Sequence, residues 1–133
     1  MARTQAVHYR GPDGTEPVND YIDGLDPRRQ AALDLQIDRL NGRGPSAPPP
    51  AFPHTSGVRG ALRELRCHYG SELHRVLYRR SGNLIVLLHA LRKTTARLPE
   101  GDIATAEARW LDFRARMNAR PRRPPRAVGR DAP

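Results

Sequence analysis

Apolar residues recur at two different spacings along this chain. Val18, Tyr21, Ile22 and Leu25 fall at i, i+3, i+4 and i+7, the stripe of an amphipathic helix. Asp26-Pro27 suits N-cap and N1 of a second helix, along which Leu33, Ile37 and Leu40 keep helical spacing until Asn41-Gly42 stops it. A third helix is expected from Asp102 to Met117, with Ile103, Ala106, Trp110, Phe113 and Met117 on one face. Ahead of these, Thr4 to Arg10 is β-rich and reads as a strand. Gly11 to Gly14 is a turn, and Thr15 is placed to N-cap the first helix.

Between the second and third helices the period changes to two. In Leu62 to Tyr69, Leu65 and Cys67 share one face of a strand, and Glu64, Arg66 and His68 the other. A second strand, Leu73 to Arg80, follows the turn Tyr69-Gly70-Ser71-Glu72, which can be built in two registers. A four-residue turn sets Arg66 opposite Arg75 and leaves Leu65, Cys67, Val76 and Tyr78 on the other face; a tighter turn separates the two arginines. The first is preferred because it yields one apolar and one basic face, as a half-buried sheet requires. After Ser81-Gly82-Asn83, Leu84 to Ala90 is apolar on both faces and is expected to be central, with Leu91 to Leu98 as a basic exit loop. The order predicts an α+β fold, a small antiparallel sheet with an N-terminal helical hairpin and a C-terminal helix, the helices lying against one face. One domain is expected over 1–119. A proline-rich connector over 44–57 interrupts it, and the Arg/Pro-rich segment 120–133 is expected to be a disordered tail.

Charge sharpens this picture. The chain of 133 residues carries a formal net charge of +9, and only one lysine, Lys93. Residues 1–43 hold six basic and seven acidic groups, whereas 59–97 hold nine basic and two acidic ones, Glu64 and Glu72. A sheet so basic points to a polyanionic partner; the plainer alternative is solubility plus an arginine-rich tail. The single cysteine, Cys67, excludes an internal disulfide and fits a reducing cytoplasm. No signal peptide or membrane-spanning apolar run is recognisable. No His/Cys/Asp cluster has metal-ligand spacing, so neither metal nor cofactor is expected.

Several motifs together resemble the RelE/HigB superfamily of type II toxin–antitoxin toxins, in its phage-associated HigB-like branch. Leu62-Arg63-Glu64-Leu65-Arg66 resembles that family's L-x-E-L-R strand, and Arg75-Val76-Leu77-Tyr78 its Y-R-V-L-Y strand, with His74 for the first Tyr. Ile85 to His89 resembles I-V-L-L-H. Lys93, Thr95, Arg97 and Pro99 resemble K-K-T-x-K-T-P, followed here by Asp102-Ile103 and a helix. The run from Glu16 to Leu33 resembles P-V-x-x-F/Y-I-x-x-L-x-x-x-x-R. Thr94, Leu98, Ala61 and Leu91 depart from the pattern. The resemblance implies a small metal-independent ribonuclease that cuts mRNA on the ribosome and is neutralised by a helix-turn-helix antitoxin. A ParE-like gyrase inhibitor of the same fold and a non-catalytic, phage-derived nucleic-acid-binding protein are the other readings.

RNA brings its own nucleophile, the 2′-hydroxyl, so the protein must align it, move protons and stabilise charge. Arg75 is the first candidate for a phosphate clamp, a role that the resemblance also implies; its alternative is an ion pair with Glu64 or Glu72. Arg66 is a second phosphate contact, or an ion-pair partner of Glu64 or a helix carboxylate. Lys93 orients RNA or serves as acid or base. His89 has an imidazole suited to proton transfer, or holds a structural hydrogen bond at the end of an apolar strand. Tyr78 is a base-stacking candidate that the preferred register turns toward the helices. Arg63, Arg92 and Arg97 complete the expected RNA-binding set, and His68 and His74 are the remaining histidine candidates.

Overall fold

Six strands form one sheet in the computed structural model, which describes residues 4–41, 55–93, 97–119 and 125–128. In chain order the elements are β1 (Gln5–His8), α1 (Pro17–Asp23), α2 (Pro27–Asp38), β2 (Thr55–Arg59), β3 (Leu62–Tyr69), β4 (Glu72–Ser81), β5 (Leu84–Arg92), α3 (Glu100–Met117) and β6 (Arg126–Ala127). They lie in the order β2-β3-β4-β5-β1-β6, antiparallel except where β1 runs parallel to β5 with Ala6 opposite Ile85. The expected α+β fold is present, with the helical hairpin and the C-terminal helix in their places.

The β3–β4 hairpin adopts the preferred register. Tyr69 faces Glu72, Arg66 faces Arg75 and Leu65 faces Val76. Gly70 carries the turn at φ 57°, a left-handed conformation that a side chain would strain. Period-two alternation then sends Leu65, Cys67, Val76 and Tyr78 into one core, with Val18 and Ile22 of α1 and Leu33, Ile37 and Leu40 around α2.

The helices do not share one face, as the sequence reading expects. Ile103, Ala106, Trp110 and Phe113 of α3 pack with Leu62, Leu77, Val86 and Leu88 in a second core on the opposite side. The reason is β5, whose Ile85 and Leu87 enter the first core while Val86 and Leu88 enter the second. A strand apolar on both sides needs a helical layer on each. Trp110 and Phe113 stack at 5.8 Å between ring centroids, and the guanidinium of Arg79 covers the indole at 4.5 Å.

Other expectations differ from the structure at the ends of elements. Thr55, Ser56 and Gly57, read as the end of the connector, open β2 and pair with Leu65, Glu64 and Arg63; 44–54 lies outside the described residues. Within the stretch read as a tail, Arg126 and Ala127 pair with His8 and Val7 of β1. Helix α1 is capped at Glu16 rather than Thr15, whose hydroxyl donates to Asp13 Oδ1 at 2.7 Å, and α2 ends at Asp38 rather than at Asn41. Asn41 instead accepts from the Ala6 amide at 2.7 Å and donates to the Val128 carbonyl at 3.0 Å, tying the end of the helical hairpin to β1 and β6. Asp26 makes no side-chain cap bond, so apolar burial decides where α2 lies. Burying Leu33, Ile37 and Leu40 contributes about 1.5–3 kcal/mol each, against about 1 kcal/mol for a cap.

A polar network pins the hairpin to the sheet beside the first core. Arg29 of α2 clasps Glu72 of β4 with Nε at 2.9 Å and Nη2 at 2.5 Å. The hydrogen bonds from Arg29 and then from His74 hold the Glu72 carboxyl down at about 2. An ionised Glu72 requires a proton on His74 Nε2, 3.0 Å away. Burial raises the Tyr21 phenol, so its hydroxyl stays protonated and donates to His74 Nδ1 at 2.6 Å. Because the Glu72 carboxyl sits below its ordinary value of 4.5, its contribution to stability is fully present above that pH and fades as pH falls toward about 2. Acid unfolding followed by circular dichroism is expected to show Glu72→Gln less stable than the parent at neutral pH, with a shallower loss of stability over that window. Parallel acid curves for the two proteins would remove Glu72 from the linkage.

Candidate nucleic-acid interface

Alternation places Glu64, Arg66 and His68 of β3 on the α3 side of the sheet, along with Leu73, Arg75 and Leu77 of β4. The Lys93 amide donates to the Leu73 carbonyl at 2.7 Å. That bond carries the β5 register one residue past Arg92, so Lys93 falls opposite Leu73 on the same face as Arg75. Helix α3 covers the half of this face that holds Leu62, Val86 and Leu88. Beyond its N-terminus lie Arg66, His68, Arg75 and Lys93.

One carboxylate organises the two arginines. Glu64 Oε2 lies 3.4 Å from Arg75 Nε, and Oε1 lies 3.7 Å from Arg66 Nη1. Ser56 of β2 joins them, accepting from Arg66 Nη1 at 2.7 Å and donating to Glu64 Oε1 at 3.1 Å. Depth separates the pair: the Arg75 side chain is 8 % exposed and that of Arg66 31 %. With Lys93, exposed at the end of the strand, three cations face one anion. Each alternative weighed for Arg66 and Arg75 is thus partly met, since Glu64 pairs with both, yet the face keeps a positive surplus.

The other sequence candidates are distributed elsewhere. Tyr78 is buried in the first core, 1 % exposed, because the register that joins Arg66 to Arg75 turns it inward; it is not available to stack on a base. Arg63 and Arg92 fall on the hairpin side, opposite the arginine pair. Arg63 Nη2 donates to Thr55 Oγ1 at 3.3 Å, and Arg92 Nη2 lies 3.9 Å from Glu72. Arg97 is exposed on the approach to α3, where its charge, behind that of Arg59, helps lower the Glu100 carboxyl.

His89 is captive. Arg109 Nη1 donates both to the Leu88 carbonyl at 2.9 Å and to His89 Nδ1 at 3.0 Å. A ring nitrogen that accepts carries no proton, so the proton sits on Nε2 and is donated to Asp102 Oδ1 at 2.6 Å. Asp102 and Arg109 stand two turns apart on α3, and the imidazole between them fastens the start of that helix to β5. The structural alternative for His89 is the one this geometry supports. His74, in the network with Tyr21 and Glu72, is 2 % exposed. Sequence reasoning groups His68 with His74 behind His89; His68 is exposed and shares a face with Arg66. Among the described residues, no group of three or more His, Cys, Asp or Glu side chains is placed to hold a metal, and no helix is long and apolar enough to cross a membrane.

These observations define an α+β domain with a positively charged sheet face flanked by a C-terminal helix. Residues 20–111 match the family described as Phage derived protein Gp49-like (DUF891), and the chain belongs to that family. The match runs from within α1 through the first two-thirds of α3, including the whole β3–β5 meander. No curated protein matches the chain.

Removing the shared anion tests the architecture of this face. Glu64→Ala leaves two guanidiniums opposite one another, and thermal melting is expected to show a loss of about 1–3 kcal/mol. Glu64→Gln keeps the shape and is expected to recover part of it. Unchanged melting in both variants would mean that Glu64 does not hold the pair.

Proposed function

We propose that this protein is the toxin of a type II toxin–antitoxin pair, a metal-independent endoribonuclease that cuts mRNA on the ribosome. The observation that carries this reading is the placement of Arg66 opposite Arg75, with Lys93 on the same face of the adjacent strand line. Membership of a phage-derived family and the motif resemblance to RelE/HigB toxins agree with it.

The arrangement suits phosphoryl chemistry. Cleavage by the 2′-hydroxyl builds negative charge on the non-bridging oxygens of the scissile phosphate. A guanidinium held in a low-dielectric setting stabilises that charge far more than one in water. Arg75, deep and already oriented by Glu64, is assigned to the developing charge. Arg66, more exposed, takes the ground-state phosphate, and Lys93 serves the leaving group. A polyanion entering here offers its own phosphate oxygens to both arginines, weakening their hold on Glu64 as the substrate seats. A cognate antitoxin with a helix-turn-helix domain would neutralise the toxin by covering this face.

Expression in a bacterial host, with mapping of mRNA 5′ ends, tests the reading. Growth arrest with cuts inside translated codons is the expected result. Arg75→Ala is expected to abolish arrest, and Arg66→Ala to weaken it, with the folded state retained by circular dichroism. A loss of about 10²–10³-fold in cleavage rate for Arg75→Ala would match removal of one charge-stabilising group. DNA damage with intact mRNA would replace this reading with a gyrase-directed one, and undiminished toxicity in Arg75→Ala would move the site.

A further inference from the structure

We infer that Ser56 is a positioning residue of this site, one that holds Arg66 ready for a phosphate; the inference rests on the ribonuclease reading above. Strand β2 begins the sheet order, and its ladder sets Ser56 opposite Glu64 on the α3 side. Arg66 stands two residues along β3 from Glu64, which makes it the diagonal neighbour of Ser56, about 7–8 Å away between α-carbons. A long guanidinium side chain spans that gap, and Arg66 Nη1 donates to Ser56 Oγ at 2.7 Å. The serine hydroxyl keeps its own proton to donate, and gives it to Glu64 Oε1 at 3.1 Å.

Which nitrogen is used decides what this contact does. Among the described residues, Arg66 meets Ser56 and, at 3.7 Å, Glu64, both through Nη1. A guanidinium carries five N–H donors in a rigid plane, so fixing Nη1 also fixes the direction of the edge formed by Nε and Nη2. That edge is a fork able to meet two phosphate oxygens at once. Serine is a neutral acceptor, so it orders Arg66 without cancelling its charge. Glu64, too far at 3.7 Å for a hydrogen bond to Arg66, supplies the compensating charge instead. An exposed arginine loses rotamer freedom when a ligand orders it, and one ordered beforehand avoids that loss.

The two arginines are therefore held by different means. Arg75 is held by depth, its side chain 8 % exposed, whereas Arg66, 31 % exposed, depends on the hydroxyl of Ser56. Arg66 is assigned to the ground-state phosphate and Arg75 to the charge that develops during cleavage. Loss of the Ser56 hydroxyl therefore weakens the seating of RNA and leaves the chemical step as it is.

The test is single-turnover cleavage of ribosome-bound mRNA by the full chain in excess over ribosomes. It reads two quantities, the protein concentration for half-maximal rate and the maximal rate. Ser56→Ala is expected to raise the first by about 3–30-fold and to leave the second within about twofold of the parent. Ser56→Thr returns a hydroxyl on a side chain that suits a strand, and is expected to restore the parent value. Added to Arg66→Ala, Ser56→Ala is expected to change nothing further, the sign that the serine acts through the arginine. If Ser56→Ala matches the parent in both quantities, lowers only melting and the maximal rate, or adds its loss to that of Arg66→Ala, the inference fails and the ribonuclease reading stands. If the parent itself leaves ribosome-bound mRNA intact, the ribonuclease reading fails and the role of Ser56 falls with it.

Discussion

The register of the β3–β4 hairpin is the constraint on which both faces of this protein depend. Side chains alternate along a strand, so a slip of one residue would exchange the two faces of β3 relative to β4. Gly70, held in the left-handed region, fixes that register at Tyr69 opposite Glu72. Everything downstream follows from it. Cys67, Val76 and Tyr78 reach the hairpin core, Glu72 meets Arg29, and Arg66 is brought opposite Arg75.

That last pairing is electrostatically unfavourable by itself. Like charges directly opposite each other on a sheet repel, and at about 4 Å the cost is about 4 kcal/mol with an effective dielectric of 20. Glu64 offsets it by standing beside both guanidiniums, with Ser56 bridging to Arg66. Strand β2, whose own Arg59 is paired with Glu100 of α3, therefore matters to the arginine pair through a hydroxyl. Its Ser56 pairs with Glu64 in the ladder and orients the carboxylate from the side. A site whose cations are held by one internal anion is preorganised, and the anion can be outcompeted by an incoming phosphate that offers more oxygens.

Much of this was legible in the chain because period-two alternation and turn chemistry are local. The β3–β4 faces, the central position of β5 and the three helical stripes all rest on such signals. What was not legible depends on partners far away in sequence. Strand β2 begins in Thr-Ser-Gly directly after a proline-rich run, with no alternation of its own; pairing with β3 makes it a strand. Strand β6 consists of two residues paired to β1 within an Arg/Pro-rich stretch. The sequence reading puts the helices on one face, although Leu84 to Leu88 is apolar on both and so calls for a layer on each side. For the site, Asp102 and Arg109 reach His89 only once α3 docks, so its confinement could not be read from the strand.

The two sides of the sheet also differ in sign, and this bears on how a polyanion meets the protein. The helical hairpin carries Asp20, Asp23, Asp34 and Asp38. Burial first, then the neighbouring Asp23 and Asp38, push the Asp34 carboxyl up, the mark of anions close enough to repel one another. On the α3 side the sheet carries Arg66, Arg75 and Lys93 against Glu64, while α3 itself adds Glu100, Asp102, Glu107 and Asp112 against Arg109, Arg114 and Arg116. Exposed charges act over about 8–10 Å at physiological salt, comparable to the separation of stacked layers, so the two potentials are not averaged away. On the proposed ribonuclease reading, the cations of the sheet face beyond the start of α3 are what would draw a nucleic acid.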